Sequence, residues 1–343
     1  MKKTIINRNL VKQALALGSF CLAILFTSCT EQQESSIQDQ AFKLVPRSAA
    51  PTEVIGRYER PSDADARTTQ APGDDRGRFN ITLRNLVPLT ARQQEVFDAA
   101  RERWERIIIK DVPSVEGPIP SAFQGVPPID AVDDIVIEVV IAPIDGPGSI
   151  LGQAGPRYVR TDDFLTLSGV MFFDVADLDF LDELDLFEEV IVHEMGHVLG
   201  VGSLWNVSQY GFPRDLRSGP NSNPYFNGDM ANVFWNAEGG TGELPIENMG
   251  GPGTQLSHWR ESVLNNELMT GYLNLGENPL SRITAASMSD LGYGVAVKGE
   301  SYDLPRGTAG VDINELAASS GENGLHIASM EEVLEPLGFV VPE

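Results

Sequence analysis

Two histidines and a glutamate in one apolar run hold most of the chemistry this sequence offers. The run is Val190-Ile191-Val192-His193-Glu194-Met195-Gly196-His197-Val198-Leu199-Gly200. On a helix, His193 and His197 leave the same face, because residues four apart are neighbours there. Two imidazoles so placed can reach one metal ion at the roughly 2.0–2.1 Å that zinc takes with nitrogen. Glu194 follows the first histidine and points elsewhere, so it is placed to act on a metal-bound water rather than on the metal. The competing reading is an amphipathic helix that happens to carry two histidines. Histidine usage weighs against it: the chain has four, His193, His197, His258 and His326, and two of them flank a glutamate at ligand spacing.

The helix that must position these residues has its own start and stop. Asp185 and Glu188 form an Asp-x-x-Glu pattern that predicts an N-cap with a reciprocal partner three residues on. Phe187, Val190, Ile191, Val198 and Leu199 would face the core. Gly200 predicts the end, since glycine takes the left-handed conformation cheaply. A catalytic zinc keeps three protein ligands and one open position. One extended form of the motif puts a third histidine six residues after the second, with a glycine halfway. Gly200 is in place here, but Ser203 stands where that histidine would be. The third ligand must therefore come from further along. His258 is the candidate, with Glu261 or Glu267 as the rival of the gluzincin type.

Composition bounds the rest. A chain of 343 residues with 42% hydrophobic content can build a real core. A net charge of -24 excludes nucleic acid as the expected partner, because phosphate binding needs clustered Lys and Arg. Residues 1–28 read as an export signal: Lys2, Lys3, Arg8 and Lys12 precede an apolar stretch from Ala14 to Phe26 that is short for a membrane span. Phe26-Thr27-Ser28-Cys29 resembles the lipobox of bacterial lipoproteins, with Phe26 where Leu is usual. Cys29 would then carry the acyl chains of an anchor at a bacterial membrane, outer membrane or cell surface. The alternative is an ordinary secretory signal cut nearby. The two cysteines, Cys21 and Cys29, both fall in this region, so the exported domain has no internal disulfide and no thiol for zinc.

Residues 29–76 are polar and without period, and read as a flexible tether or a pro-segment. Phe79–Leu83 reads as a strand. Thr90 with Gln93 gives a capping box for a helix to about Lys110, with Val96, Phe97, Ala100, Trp104, Ile107 and Ile108 on its apolar face. Asp134–Ala142 and Leu167–Val175 read as strands. The acids between Asp174 and Asp185 are expected to be a solvated loop, with a calcium site as the alternative. Residues 202–255 look like a long insertion of loops. Thr284 is a candidate cap for a last helix ending at Leu291 and closed by Gly292. Residues 298–343 read as an acidic C-terminal tail, with His326 on its surface.

Several blocks in order carry a family resemblance: His193-Glu194-x-x-His197-x-x-Gly200; Pro245-Ile246-Glu247-Asn248-Met249-Gly250-Gly251-Pro252-Gly253-Thr254; His258-Trp259-Arg260-Glu261; Asn266-Glu267-Leu268-Met269-Thr270-Gly271; and Ile283-Thr284-Ala285-Ala286 with Asp290-Leu291-Gly292-Tyr293. Together they resemble the leishmanolysin family of metzincin peptidases, in which an insertion separates the glycine from the third histidine. The resemblance implies an α+β zincin-type catalytic domain over 77–297: a twisted, mostly parallel sheet with two long helices, then an irregular lower part. It implies Zn2+ on His193, His197 and His258, Glu194 as general base, and Met269 as the Met-turn residue beneath the metal. The implied activity is that of a zinc-dependent endopeptidase acting on a peptide or protein substrate. Tyr272 and Tyr293 are candidates to stabilise an oxyanion, with a structural role as the alternative. A surface binding protein that keeps zinc for structure only is the rival function. The intact Glu194 argues against it, since a structural site needs no base.

Overall fold

The run Ile135–Ala142 is apolar at almost every position, so both its faces must be covered, and it becomes an interior strand. The computed structural model describes residues 77–148, 150–251, 253–304 and 330–342, together with 44, 46, 47, 52–56 and 311–312. The expected signal segment, Cys29 and His326 lie outside them.

In chain order the elements are β1 (Thr52–Gly56), β2 (Ile81–Asn85), α1 (Ala91–Ile107), β3 (Val115–Ile119), β4 (Ile129–Val132), β5 (Ile135–Ala142), β6 (Gly152–Arg160) and β7 (Thr166–Asp174). Next come α2 (Val175–Glu183), α3 (Phe187–Leu199), β8 (Arg217–Ser218), β9 (Tyr225–Phe226), α4 (Asp229–Ala237) and β10 (Leu244–Pro245). The last are α5 (Glu261–Leu264), β11 (Asn274–Leu275), α6 (Arg282–Leu291), β12 (Val311–Asp312), β13 (Glu331–Val333) and β14 (Gly338–Pro342). The main sheet runs β1-β14-β6-β7-β5-β2, with β13 also on β6. Every neighbouring pair in it is parallel except β6 with β7. The fold is mixed α+β with a parallel-rich sheet. α1 and α3 pack on each other, and α3 lies across β6 and β7. The 103 residues from Gly200 to Tyr302 hold only short elements around a buried Trp205, Phe226 and Trp259.

Where the structure departs from the sequence reading, the reasons are local. The Thr90–Gln93 capping box forms, but the Asp185 cap does not. Asp185 sits at φ 60°, a left-handed bend between α2 and α3 that aspartate tolerates, and Leu186 takes the N-cap position with no side-chain bond. The acidic stretch after Asp174 is the helix α2, with Leu178 and Leu181 buried beneath its acids. Asp174 caps it and also accepts from the N–H groups of Ile144, Asp145 and Gly146, so this carboxylate orders a loop by itself. Asp177 accepts from Gly148 N–H, and Asp182 pairs with Arg92. Ser281, not Thr284, caps α6. The expected tail contributes β13 and β14, and β14 is an interior strand of the main sheet. The expected tether contributes β1 at its edge.

Candidate metal centre

α3 is buried along its whole C-terminal half because it lies between the sheet and α1. Trp104 of α1 donates its indole N–H to Val192 C=O at 2.9 Å and fixes the two helices together. The helix stops at Gly200, φ 118°, and the carbonyls left without helical partners are met from outside. Ser203 Oγ donates to His197 C=O at 2.6 Å, Thr166 Oγ1 to Val198 C=O at 2.8 Å, and the Tyr293 hydroxyl to Leu199 C=O at 3.0 Å. Ser203 and Tyr293 are thus braces of the helix end.

The third ring comes back from a long excursion. Gly202, at φ 72°, lies so close to Ser257 that a Cβ there would run into the Ser257 carbonyl. The residue before His258 therefore rests on the turn that ends α3. Glu247 N–H donates to His258 C=O at 2.9 Å, and Trp259 N–H donates to Met269 C=O at 3.0 Å. The Trp259 ring stacks on Trp205 at 4.5 Å between centroids and donates its N–H to Thr284 Oγ1 at 2.7 Å.

These supports bring three nitrogens together. Nε2 of His193 lies 3.1 Å from Nε2 of both His197 and His258, and the last two are 2.9 Å apart. Tetrahedral ligands of zinc are about 3.3 Å from each other. Each opposite nitrogen is tied to a main-chain carbonyl: His193 Nδ1 to Leu268 at 2.7 Å, His197 Nδ1 to Val201 at 2.8 Å and His258 Nδ1 to Thr254 at 3.0 Å. Those carbonyls can only accept, so the Nδ1 atoms carry the protons and the three Nε2 lone pairs face one point. Three converging lone pairs repel one another unless a cation lies among them. The donor set fits zinc.

The surrounding charge favours a cation too. Glu194 is fully buried beside the rings, and no donor among the described residues reaches either of its oxygens. Burial, then the charge of the neighbouring Glu331, pushes the Glu194 carboxyl up to about 8, against the pull of His193. Burial pulls His193 down, but Glu331 and Glu194 outweigh it, so the two acids draw positive charge to this point. His197 is held well below the usual imidazole range by burial and by the other two rings.

Met269 lies beneath the motif. A Cβ on Gly196 would stand 2.8 Å from its Sδ and 3.0 Å from Trp104, which accounts for a glycine in the middle of α3. Leu268, whose carbonyl orients His193, belongs to the same turn. Glu267 is not at the centre: its buried carboxylate accepts from Met269 N–H, from Ser281 N–H and Oγ, and from Thr284 Oγ1. Glu261 starts α5 and is not among the converging donors. Tyr272 lines a cavity of about 300 Å³ with Glu247, Met249, Thr254, Glu261 and Ser262, beside the loop that carries His258.

The residue that sequence reasoning missed is Glu331. Its carboxylate lies 2.9 Å from His258 Nε2, 3.3 Å from His193 Nε2 and 4.0 Å from His197 Nε2, with the side chain 0% exposed. Among 49 acidic residues, one glutamate in a polar tail carries no signal.

The family model Leishmanolysin (Peptidase_M8) matches residues 80–302. The chain belongs to the leishmanolysin family. It is accordingly a zinc metalloendopeptidase with a peptide or protein substrate, and its cofactor is zinc. The match takes in the three histidines, Glu194 and the Met269 turn, and ends before β13, so Glu331 lies outside it.

Proposed function

We propose that His193, His197 and His258 hold the zinc and that Glu194 is the general base of peptide-bond hydrolysis. The observation that carries this reading is Glu194: a buried carboxylate without a donor, next to three converging imidazoles, has no structural task. Zinc at this position supplies a Lewis acid that makes water a nucleophile near neutral pH and polarises a carbonyl. Glu194 takes the proton from the attacking water and delivers it to the leaving amine. The carbonyls of Leu268, Val201 and Thr254 keep the imidazole tautomers fixed throughout. Met269 and its turn support the site from below, in the manner of a metzincin with an irregular lower part. The gluzincin alternative loses its support, because Glu267 is occupied by four hydrogen bonds in another place.

Glu194→Gln tests the assignment. Peptide hydrolysis should fall by about 10²–10⁴-fold, the usual worth of general acid–base catalysis, while zinc stays at one ion per chain. Measuring it in both the wild-type and the Glu331→Ala backgrounds keeps a carboxylate already at the centre from masking turnover. Equal hydrolysis with and without Glu194 would overturn the reading.

For the rest of the chain, the proposal is export on the 1–28 signal and anchoring through lipid on Cys29. The basic, apolar and lipobox-like segments of the sequence support it. Among the described residues, no helix is long and apolar enough to cross a membrane.

A further inference from the structure

Catalysis as assigned above has no use for Glu331, yet the structure places it at the centre with care. We propose that the C-terminal segment Met330–Val333 is a built-in occupant of the substrate cleft. Glu331 serves as fourth protein ligand in the place of water, and β13 covers the edge of β6 where an extended peptide would pair. The full chain then rests in a latent form. This inference rests on the peptidase reading.

Geometry argues it first. Three protein nitrogens leave a catalytic zinc one position, and the Glu331 carboxylate stands there, within 2.9–4.0 Å of all three. Four protein donors make a closed site, the arrangement of structural rather than catalytic zinc.

The sheet argues it second. Glu331, Glu332 and Val333 pair in parallel with Gly152, Gln153 and Ala154 of β6, whose other side is taken by β7. Leu151 N–H donates to Met330 C=O at 2.8 Å and Leu334 N–H to Ala154 C=O at 2.7 Å. An extended substrate adding itself to this strand would need the same edge. The occupant is not itself a substrate. Met330 C=O is used by Leu151, and Glu331 C=O lies against Gly253, so no peptide bond of the pair is offered to the rings.

The segment is also able to leave. β13 pairs over three residues, and the Glu332 side chain is exposed, whereas β14 is locked between β1 and β6. The Glu331 limb can lift while β14 stays seated.

The test uses the full chain loaded with Co2+ and acetohydroxamate as a metal-directed probe, followed by visible absorption. If fewer than about a tenth of molecules are open, Glu331→Ala should bind the probe about tenfold tighter or more, and Glu335→Ala, an exposed acid beyond β13, should match the wild type. In the wild-type protein, saturating acetohydroxamate should speed hydrogen exchange at the Leu151 and Leu334 amides, which hold β13 down. This second measurement stands even if Glu331→Ala fails to fold. Equal probe affinity in wild type and Glu331→Ala, or unchanged exchange at those two amides, overturns the proposal. Neither readout involves turnover, so the latent form can fail while the peptidase assignment holds, and the reverse.

Discussion

Glu267→Gln is a near-isosteric change with a large expected effect. Glu267 Oε2 accepts from Met269 N–H at 2.7 Å, and Oε1 accepts from Ser281 N–H at 3.1 Å, Ser281 Oγ at 2.7 Å and Thr284 Oγ1 at 2.5 Å. Every partner is a donor and every one is buried. A glutamine must turn its NH2 group toward one set or the other. The cheaper orientation sacrifices Met269 N–H, leaving a buried unpaired donor at about 1–3 kcal/mol, and the other three bonds lose the strength that a charged acceptor gives. The sum is about 3–5 kcal/mol. The turn loosened in this way carries the Leu268 carbonyl that orients His193, so zinc affinity should fall by about 10–100-fold, the usual effect of losing an outer-shell partner. Urea unfolding of the metal-free protein isolates the first effect, and zinc competition against a chelator reads the second. Zinc lost outright with stability within about 1 kcal/mol of wild type would make Glu267 a ligand and refute the reasoning.

Asp174 gives a pH-dependent expectation. Burial pushes its carboxyl up, but the N–H groups of Ala176, Gly146, Ile144 and Asp145 outweigh that and hold it below the usual range. A lowered folded value means stability that is present above the unfolded value of 3.8 and lost as pH falls through the folded one. Asp174→Asn should therefore cost about 1–3 kcal/mol at pH 7, and its gap to wild type should close in acid; a gap of constant size from pH 7 to pH 2 counts against an ionised carboxylate. At the other end of the chain, Cys29→Ser should move the protein from the membrane fraction to the soluble exported fraction, and unchanged membrane association would remove the lipid anchor.

Much of the site was legible in the sequence because it is encoded over short distances. His193, Glu194 and His197 need only helical spacing, Gly200 ends the helix by its own conformational freedom, and Thr90 with Gln93 caps α1 within four residues. β6 was not legible: two glycines and a proline interrupt its strand pattern. Yet Gly155 is required because Leu334 passes against it, and Gly152 because Phe173 does. The cap at Asp185 was misread because the reversal between α2 and α3 claims that residue for a left-handed bend. His258 could be nominated from the sequence but not placed.

The sequence by itself determined the chemistry of the centre, because ligand identity and a four-residue spacing are local properties of one helix. Only the tertiary structure decided which distant groups join it. His258 arrives because Gly202 admits Ser257 and because Trp259 is gripped by Trp205 and Thr284. Glu331 arrives because β14 seats the C-terminal segment in the main sheet and β13 lays it along β6. Such contacts depend on backbone packing between segments far apart in the chain, and no periodicity in the sequence records them.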